Sequence, residues 1–328
     1  MTNRILLTGA AGFIGSNFAR YLLEHTDYSV TSLDRLDEAG SLERLADLKG
    51  RFPRRLDFIW HDLQAPIQPR LLRHDYKYVV HMAAGSHVDR SVRDPLQFVR
   101  DNVLGTAHLL EFARHHLPGV KVLYFSTDEV FGPARQGEEF DEHARWNPEN
   151  PYAATKAGGE ALCPAYATQY GMPIVITHCC NAYGPNQDDE KFIPLAIKRI
   201  QRGDTLQIHA RDGVVSSRLY IHVDDVARAT LTVLEKGGVI CDPTSGRYNI
   251  RAAEELSNLA VALSIAALLG KTLNYEFVEN PPNRPKPDLR YAISDAKLRA
   301  LGWAPQVPFG EGLASLVRSS TLPAANTS

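Results

Sequence analysis

Cysteine is scarce in this chain of 328 residues: there are four, Cys163, Cys179, Cys180 and Cys241, two of them adjacent and none in a CxxC pair. That count and spacing argue against a disulfide framework and against a thiolate metal site, so reduced thiols in a cytoplasmic protein are expected. A surplus of one charge is also missing, with 36 Lys and Arg against 38 Asp and Glu and a net charge of -2. A nucleic-acid binder carries a basic excess, so none is expected here. An anionic ligand has to be met by a few placed cations and by backbone amides. No apolar run reaches the roughly 20 residues that a bilayer requires, and no membrane association is expected. The most apolar later stretch, Leu256 to Leu269, is broken by Ser257, Asn258 and Ser264 and reads as a buried amphipathic helix. No signal peptide is expected either, because Ile5-Leu6-Leu7 runs straight into a glycine-rich turn. The 12 histidines show no HExxH or facial-triad spacing, so packing or surface roles are expected and no metal.

What is present is an ordinary globular composition, 44% hydrophobic and 23% charged, at a length that suits about two domains of ~150 residues. Short apolar runs alternate with helical patterns through the first half. Strands are expected at 4–8, 29–34, 56–61, 78–83, 120–126 and 173–177, and helices at 14–25, 95–115 and 152–170. Such alternation predicts an α/β fold: a Rossmann-type doubly wound parallel sheet, followed by a smaller mixed α/β C-terminal lobe. The expected division is 1–177 for the first unit, with a return at about 219–250. Residues 178–218 and 251–318 form the second unit, and 319–328 a frayed tail. Loops rich in Pro, Asn and Asp are expected around 183–190 and 279–288.

The run Thr8-Gly9-Ala10-Ala11-Gly12-Phe13-Ile14-Gly15 follows a strand and opens a helix. Glycines there tighten the turn and let backbone amides approach a pyrophosphate, while the helix N-terminus offers partial positive charge. A purely structural turn is the competing reading. Asp34, nineteen residues after Gly15, stands where an acid binds a ribose 2′-hydroxyl, which favours NAD over NADP. The adjacent Arg35 weakens that preference, because an arginine there can serve a 2′-phosphate.

Tyr152 and Lys156 form YxxxK on one helix face. A Lys ammonium favours a phenolate, so the pair is expected to act as a base for an alcohol proton. Upstream, Ser126-Thr127-Asp128-Glu129 ends an expected strand. Adjacent acids repel each other. Either they form a solvated turn, or they divide acid and base work in a cleft that pushes their pKa values apart.

With these motifs in place, the chain resembles the extended short-chain dehydrogenases/reductases, and within them the nucleotide-sugar 4,6-dehydratases, from Arg4 to about Leu316. The resemblance rests on TGAAGFIG from Thr8, Asp34 with AGSL after it, His61-Asp62-Leu63, HMAAGSHVDRS from His81, and Asn102 with Gly105-Thr106. It continues through STDEVFG from Ser126, NPYAATKA from Asn150, Asn181 with Tyr183-Gly184-Pro185, and EKFIP from Glu190. Arg218 with HVDD from His222, and RYAI from Arg290, complete the set. Thr127-Asp128-Glu129 is the most specific piece, since related epimerases and decarboxylases share the turn and YxxxK but generally lack both acids.

The resemblance implies NAD as cofactor, held by Gly9, Gly12, Phe13, Ile14, Gly15, Asp34, Asp62, Leu63 and Ala83 together with Tyr152 and Lys156. It implies a nucleotide-sugar substrate, with dTDP-glucose as first expectation, bound by Ser86, Thr127, Asn181, Glu190, Lys191, Arg218 and Arg290. Tyr152 would take the 4-OH proton, Thr127 hold the 4-oxygen, Glu129 remove the C5 proton and Asp128 protonate the departing 6-OH. A homodimer through a four-helix bundle, formed by helices 95–115 and 152–170, is implied as well. The departures are Gly85 in place of an acid, His178 in place of Arg, Ala182 in place of a second Asn, an extra residue before Arg218, Arg251–Glu254, and Arg284–Pro287. They lie mostly where such enzymes hold nucleotide and sugar. The alternatives are a nucleotide-sugar 4-epimerase or a UDP-glucuronate decarboxylase-like enzyme and, from another class, a non-catalytic dinucleotide-binding regulator.

Overall fold

The computed structural model describes residues 3–242, 245–279 and 289–321. In chain order the elements begin β1 (Arg4–Thr8), α1 (Phe13–His25), β2 (Ser29–Asp34), α2 (Glu43–Arg51), β3 (Leu56–Trp60) and β4 (Tyr78–His81). Then come α3 (Val88–Arg93), α4 (Pro95–Val99), a π-helical turn (Arg100–Leu104), α5 (Gly105–His116), β5 (Lys121–Thr127), α6 (Pro151–Tyr170), β6 (Ile174–Cys179) and β7 (Asn181–Tyr183). The remainder is α7 (Phe192–Arg202), β8 (Leu206–Arg211), β9 (Val214–Val215), β10 (Ser217–His222), α8 (Val223–Lys236), β11 (Arg247–Ile250), β12 (Glu255–Ser257), α9 (Asn258–Leu269), β13 (Tyr275–Val278), α10 (Ala296–Ala300) and α11 (Phe309–Thr321).

The main sheet has seven strands in the order β11-β6-β5-β4-β1-β2-β3, all parallel, as the alternation predicted. Its strands are apolar on both faces because helices cover both. In β1, Ile5 and Leu7 join one buried cluster with Phe18 and Leu22 of α1, while Leu6 faces the other cluster with Leu109 and Leu110 of α5. The strand order reverses between β1 and β4, the place where such sheets open a ligand crevice at the carboxyl ends of the strands. Helix α8 packs on α1, and β11 closes the sheet beside β6. Two three-stranded sheets, β12-β10-β7 and β13-β8-β9, lie outside the main sheet. A third core of Ile193, Ile197, Ile208, Val261, Ile265 and Leu313 knits α7, α9 and α11 to β8.

Three expectations need correction. The helix expected over 95–115 is interrupted: α4 and α5 flank the π turn, which brings consecutive residues Asp101 and Asn102 both inward. The stretch expected to be one amphipathic helix starts as β12. Its helix, α9, is apolar on more than one side, with Leu263 and Leu268 exposed. Helix α11 runs on to Thr321, past the expected start of a frayed tail at Ser319. The departure at Arg284–Pro287 and most of the loop at 279–288 lie outside the described residues.

Candidate active site

A cleft of about 540 Å³ opens at the carboxyl ends of β1, β2, β4, β5 and β6. The glycine-rich turn forms its floor. Gly9 sits at φ +74°, and a Cβ there would meet the Ala83 backbone nitrogen at 2.6 Å, so only glycine lets β1 turn against the end of β4. A Cβ at Gly15 would come within 2.1 Å of the Gly9 carbonyl oxygen, which makes this the glycine of close packing. Helix α1 begins with no acidic residue in its first turn and no side-chain cap among the described residues, so its amides face the cleft. Asp34 at the end of β2 accepts hydrogen bonds from the Ala11 amide at 3.0 Å and the Leu36 amide at 2.9 Å. Burial raises its pKa, and those two bonds act against the rise. A cradle that admits no Cβ, an open helix N-terminus and a fixed carboxylate at the neighbouring strand end together fit a dinucleotide.

His81 closes β4 beneath this floor. The Thr106 hydroxyl donates to the Asn102 carbonyl at 2.6 Å and so accepts from His81 Nε2 at 3.0 Å. Nδ1 is therefore the acceptor, taking the Thr8 hydroxyl at 2.7 Å. Burial first, and then Lys156, lower the imidazole pKa to about 3, so the ring is neutral and structural.

Strand β5 delivers Thr127, Asp128 and Glu129 to the cleft wall, and α6 delivers Tyr152 and Lys156 opposite. Asn150 makes this possible. Its Oδ1 caps α6 by accepting from the Ala153 amide at 2.8 Å, and its Nδ2 donates to Glu129 at 3.0 Å. The Asn-Pro pair before Tyr152 is the sequence signal for that cap. Asp128 is buried, its Oδ2 has no hydrogen-bond partner, and Thr127 donates to its Oδ1 at 3.3 Å. Burial, then the neighbouring Glu129 charge, raise the Asp128 pKa to about 7. Glu129 is less buried and holds the Asn150 amide. The adjacent acids therefore stand in a cleft in two different environments, and the solvated-turn reading fails.

The expected coupling of Tyr152 to Lys156 is not seen. The Lys156 ammonium donates to the Phe125 carbonyl at 2.7 Å and lies 4.3 Å from the centroid of the Tyr124 ring. Burial and Glu129 push the Tyr152 phenol pKa well up, and a hydrogen bond with Thr127 opposes them. Lys156 itself is lowered to about 8 by burial, with Glu160, one helical turn on, acting against the fall. Spacing of four placed the two residues on one face, but the buried Phe125 carbonyl claims the ammonium.

Every other residue expected at the site lines the cleft: Gly12, Phe13, Ile14, Asp62, Leu63, Ala83, Ser86, Asn181, Glu190, Lys191 and Arg218. Glu190 meets His87 at 2.7 Å and also pairs with Arg90, while Lys191 donates to the Ser86 carbonyl at 3.2 Å. Arg218 donates to the Ser217 and Leu289 carbonyls at 2.7 and 2.9 Å, with its guanidinium over the Tyr291 ring. Arg290 is the exception. It does not line the cleft, because its donors are taken by Glu255 at 2.8–3.0 Å and by the Arg135 and Glu138 carbonyls at 2.6 and 2.7 Å. It clasps β12 to the loop after β5. The neighbouring Tyr291 faces the cleft in its place.

This arrangement has known counterparts. The sequence profile of the family described as GDP-mannose 4,6 dehydratase matches residues 6–316. The low-salt glycan biosynthesis protein Agl12 of Haloferax volcanii is 40% identical over 314 residues, covering 95% of this chain and 97% of that protein. The dTDP-glucose 4,6-dehydratase 1 of Escherichia coli K12 is 37% identical over 339 residues, covering 96% and 91%. Among solved structures, DesIV, a dTDP-glucose 4,6-dehydratase from Streptomyces venezuelae with NAD and TYD bound, superposes with a TM-score of 0.85 at 37% identity, covering 96% of each chain. The chain belongs to the GDP-mannose 4,6-dehydratase family of extended short-chain dehydrogenases/reductases, the NAD-dependent nucleotide-sugar enzymes whose sheet and cleft it shares.

Proposed function

We propose that this protein is an NAD-dependent nucleotide-sugar 4,6-dehydratase, a hydro-lyase that converts an NDP-hexose, dTDP-glucose first among them, to the 4-keto-6-deoxy sugar and water. One observation carries the proposal: Asp128 is a buried carboxylic acid with a free oxygen and a pKa near neutrality, beside a second, differently held carboxylate. An epimerase has no group to expel and needs no such acid, and a regulator needs none of the set.

The glycine-rich turn, Asp34, Asp62, Leu63 and Ala83 hold the cofactor. Bound NAD supplies the hydride acceptor for sugar C4, the hydride donor for C6 and a positive charge in the cleft. Tyr152 accepts the 4-OH proton as its phenolate and becomes the neutral phenol; burial and Glu129 oppose the phenolate, so the step depends on positive charge in the cleft. Lys156, held by the Phe125 carbonyl and favoured as an ammonium by Glu160, stands where it would meet the nicotinamide ribose. Thr127 holds the 4-oxygen. Once C4 is a ketone, the C5 proton is acidic; Glu129 removes it and, once a hydride has reached C6, returns a proton to C5. Asp128, whose raised pKa of about 7 keeps a large share of it protonated at neutral pH, gives its proton to the 6-OH so that it leaves as water. Arg218, with a fixed charge beside the cleft, is placed for the diphosphate, and Asn181, Ser86, Glu190 and Lys191 for the rest of the nucleotide sugar.

The same proposal assigns NAD to residues 1–177 with the return at about 219–250, and the nucleotide sugar to 178–218 and 251–318. It also takes the protein as cytoplasmic and homodimeric, with the exposed Leu96, Val99 and Leu104 as the subunit face. Among the described residues no helix is long and apolar enough to cross a membrane. Incubating the NAD-loaded protein with dTDP-, UDP-, CDP- and GDP-hexoses separately, and reading the alkaline absorbance of the 4-keto product, ranks the substrates. If no 4-keto-6-deoxy product forms from any of them, the proposal fails.

A further inference from the structure

Arg35 directly follows Asp34, where a guanidinium is positioned to take a 2′-phosphate. In the fold it is already engaged. Its Nε and Nη2 donate to Asp37 at 3.0 and 2.7 Å, and Nη2 also donates to Asp101 at 2.9 Å. Its Nη1 donates to the other Asp101 oxygen and lies 3.6 Å from Asp62. The second anchor comes from far along the chain. Asp101 sits on the π turn, buried, and is held further by the Gln64 and Gln97 side-chain amides at 2.8 and 3.1 Å. Gly85 lies against it: a Cβ there would stand 3.3 Å from Asp101 Oδ2 and 3.1 Å from the Phe98 ring, a crowding that glycine avoids. The absence of an acid at position 85, one of the departures in the sequence, is thus matched by a carboxylate supplied from position 101.

We propose that Asp101 is a specificity-determining residue: by taking the Arg35 guanidinium it withholds that cation from a 2′-phosphate, and so the site selects NAD against NADP. Asp34, Asp37, Asp62 and Asp101 all line this end of the cleft, so a 2′-phosphate would enter among four carboxylates and one committed cation. The other nearby arginines are committed as well. Arg44 pairs with Asp188 and donates to the Ala11 and Ala39 carbonyls, while Arg90 pairs with Glu38 and Glu190. Like charge at close range excludes a ligand more effectively than a missing contact does.

The inference rests on the cleft holding a nicotinamide dinucleotide, not on which sugar is dehydrated, so its test reads binding rather than turnover. Dissociation constants for NAD and NADP are measured by calorimetry on cofactor-stripped protein, for the wild type, Asp101→Asn, Arg35→Ala and the double variant. Asp101→Ser serves as a second substitution, and melting temperatures check the fold. The expected result is that Asp101→Asn shifts the NAD-to-NADP preference toward NADP by about tenfold, and that adding Arg35→Ala cancels the gain. Arg35→Ala alone is expected to leave NADP binding unchanged. An unaltered ratio in folded Asp101→Asn or Asp101→Ser protein, both affinities falling together, would overturn the proposal, as would a gain that survives removal of Arg35. A failed dehydratase assay leaves this ratio readable, and an unchanged ratio leaves the dehydratase assignment standing.

Discussion

His178 Nε2 lies 3.0 Å from the Glu160 carboxylate, and both side chains are fully buried. On the other side of the ring, Nδ1 lies 3.0 Å from Asn249 Oδ1. The Asn249 amide nitrogen donates to the Phe140 and Ser294 carbonyls, which fixes its oxygen toward the ring. The ring is thus held from both sides, between a carboxylate and a side-chain amide. Glu160 also accepts from Ser126 at 2.8 Å, tying the strand end before Thr127 to the helix turn after Lys156. The departure at position 178 therefore belongs to a buried polar cluster around Glu160, behind the cleft.

Glu160→Gln removes the buried carboxylate that His178, Ser126 and Arg247 surround. A loss of about 3–5 kcal/mol is expected at neutral pH, read by urea denaturation. Burial acts to raise the Glu160 pKa, but His178, Ser126 and Arg247 hold it below the ordinary 4.5. The stabilisation is thus present above that value and lost as pH falls through the lower folded pKa, where variant and wild type should converge. Equal stability of the two proteins at pH 7 would refute a stabilising buried Glu160 carboxylate.

Asp128 works as an acid only while protonated, so turnover is expected to fall as pH rises through about 7. Asp128→Asn should block elimination after C4 oxidation, leaving reduced nicotinamide that absorbs in the near ultraviolet. Tyr152→Phe should stop the first step, by a factor of about 10²–10⁴, with no such absorbance. Stability carries the same pH dependence. A carboxyl whose folded pKa is raised from 3.8 to about 7 loses its stabilising contribution as pH climbs between those values. Asp128→Asn should therefore be more stable than wild type above pH 7, by about 2–4 kcal/mol in urea denaturation. A variant with full dehydratase turnover would remove Asp128 from the mechanism.

Gly15→Ala puts a methyl 2.1 Å from a backbone oxygen that cannot swing away. The turn has to open, at a cost of about 1–3 kcal/mol, and NAD affinity should drop at least tenfold in a calorimetric titration. Unchanged affinity would mean that the amides of this turn do not hold the pyrophosphate.

Leu96, Val99 and Leu104 are 64%, 44% and 41% exposed along α4 and the π turn, too much apolar surface in one strip for a face left in water. Leu96→Glu should convert a dimer to a monomer in sedimentation velocity. A wild-type monomer at micromolar concentration would dismiss the expected bundle.

Much of this was legible in the sequence because it is local. β1 and β2 fall on the expected residues, and α1 and α6 within one residue of them, since strand alternation and helical spacing are properties of neighbouring residues. The glycine turn, Asp34 and Thr127-Asp128-Glu129 were recognisable for the same reason: each motif lies within one short segment, and the parallel sheet then carries them all to one edge.

Other relationships depend on residues that meet only when the chain packs, and there the tertiary structure decided. Arg290 was expected on the substrate and was taken by Glu255 and two carbonyls. Lys156 was expected to act on Tyr152 and turned to the Phe125 carbonyl, because a buried ammonium goes to the acceptor that most fully replaces water. Asp101 and Arg35 are 66 positions apart, and nothing in the spacing of either predicts the other. By itself the sequence determined the fold class, the cofactor turn and most of the residues that line the cleft. Packing determined which charges remain free to meet a ligand, because a buried charge is committed by whatever partner surrounds it.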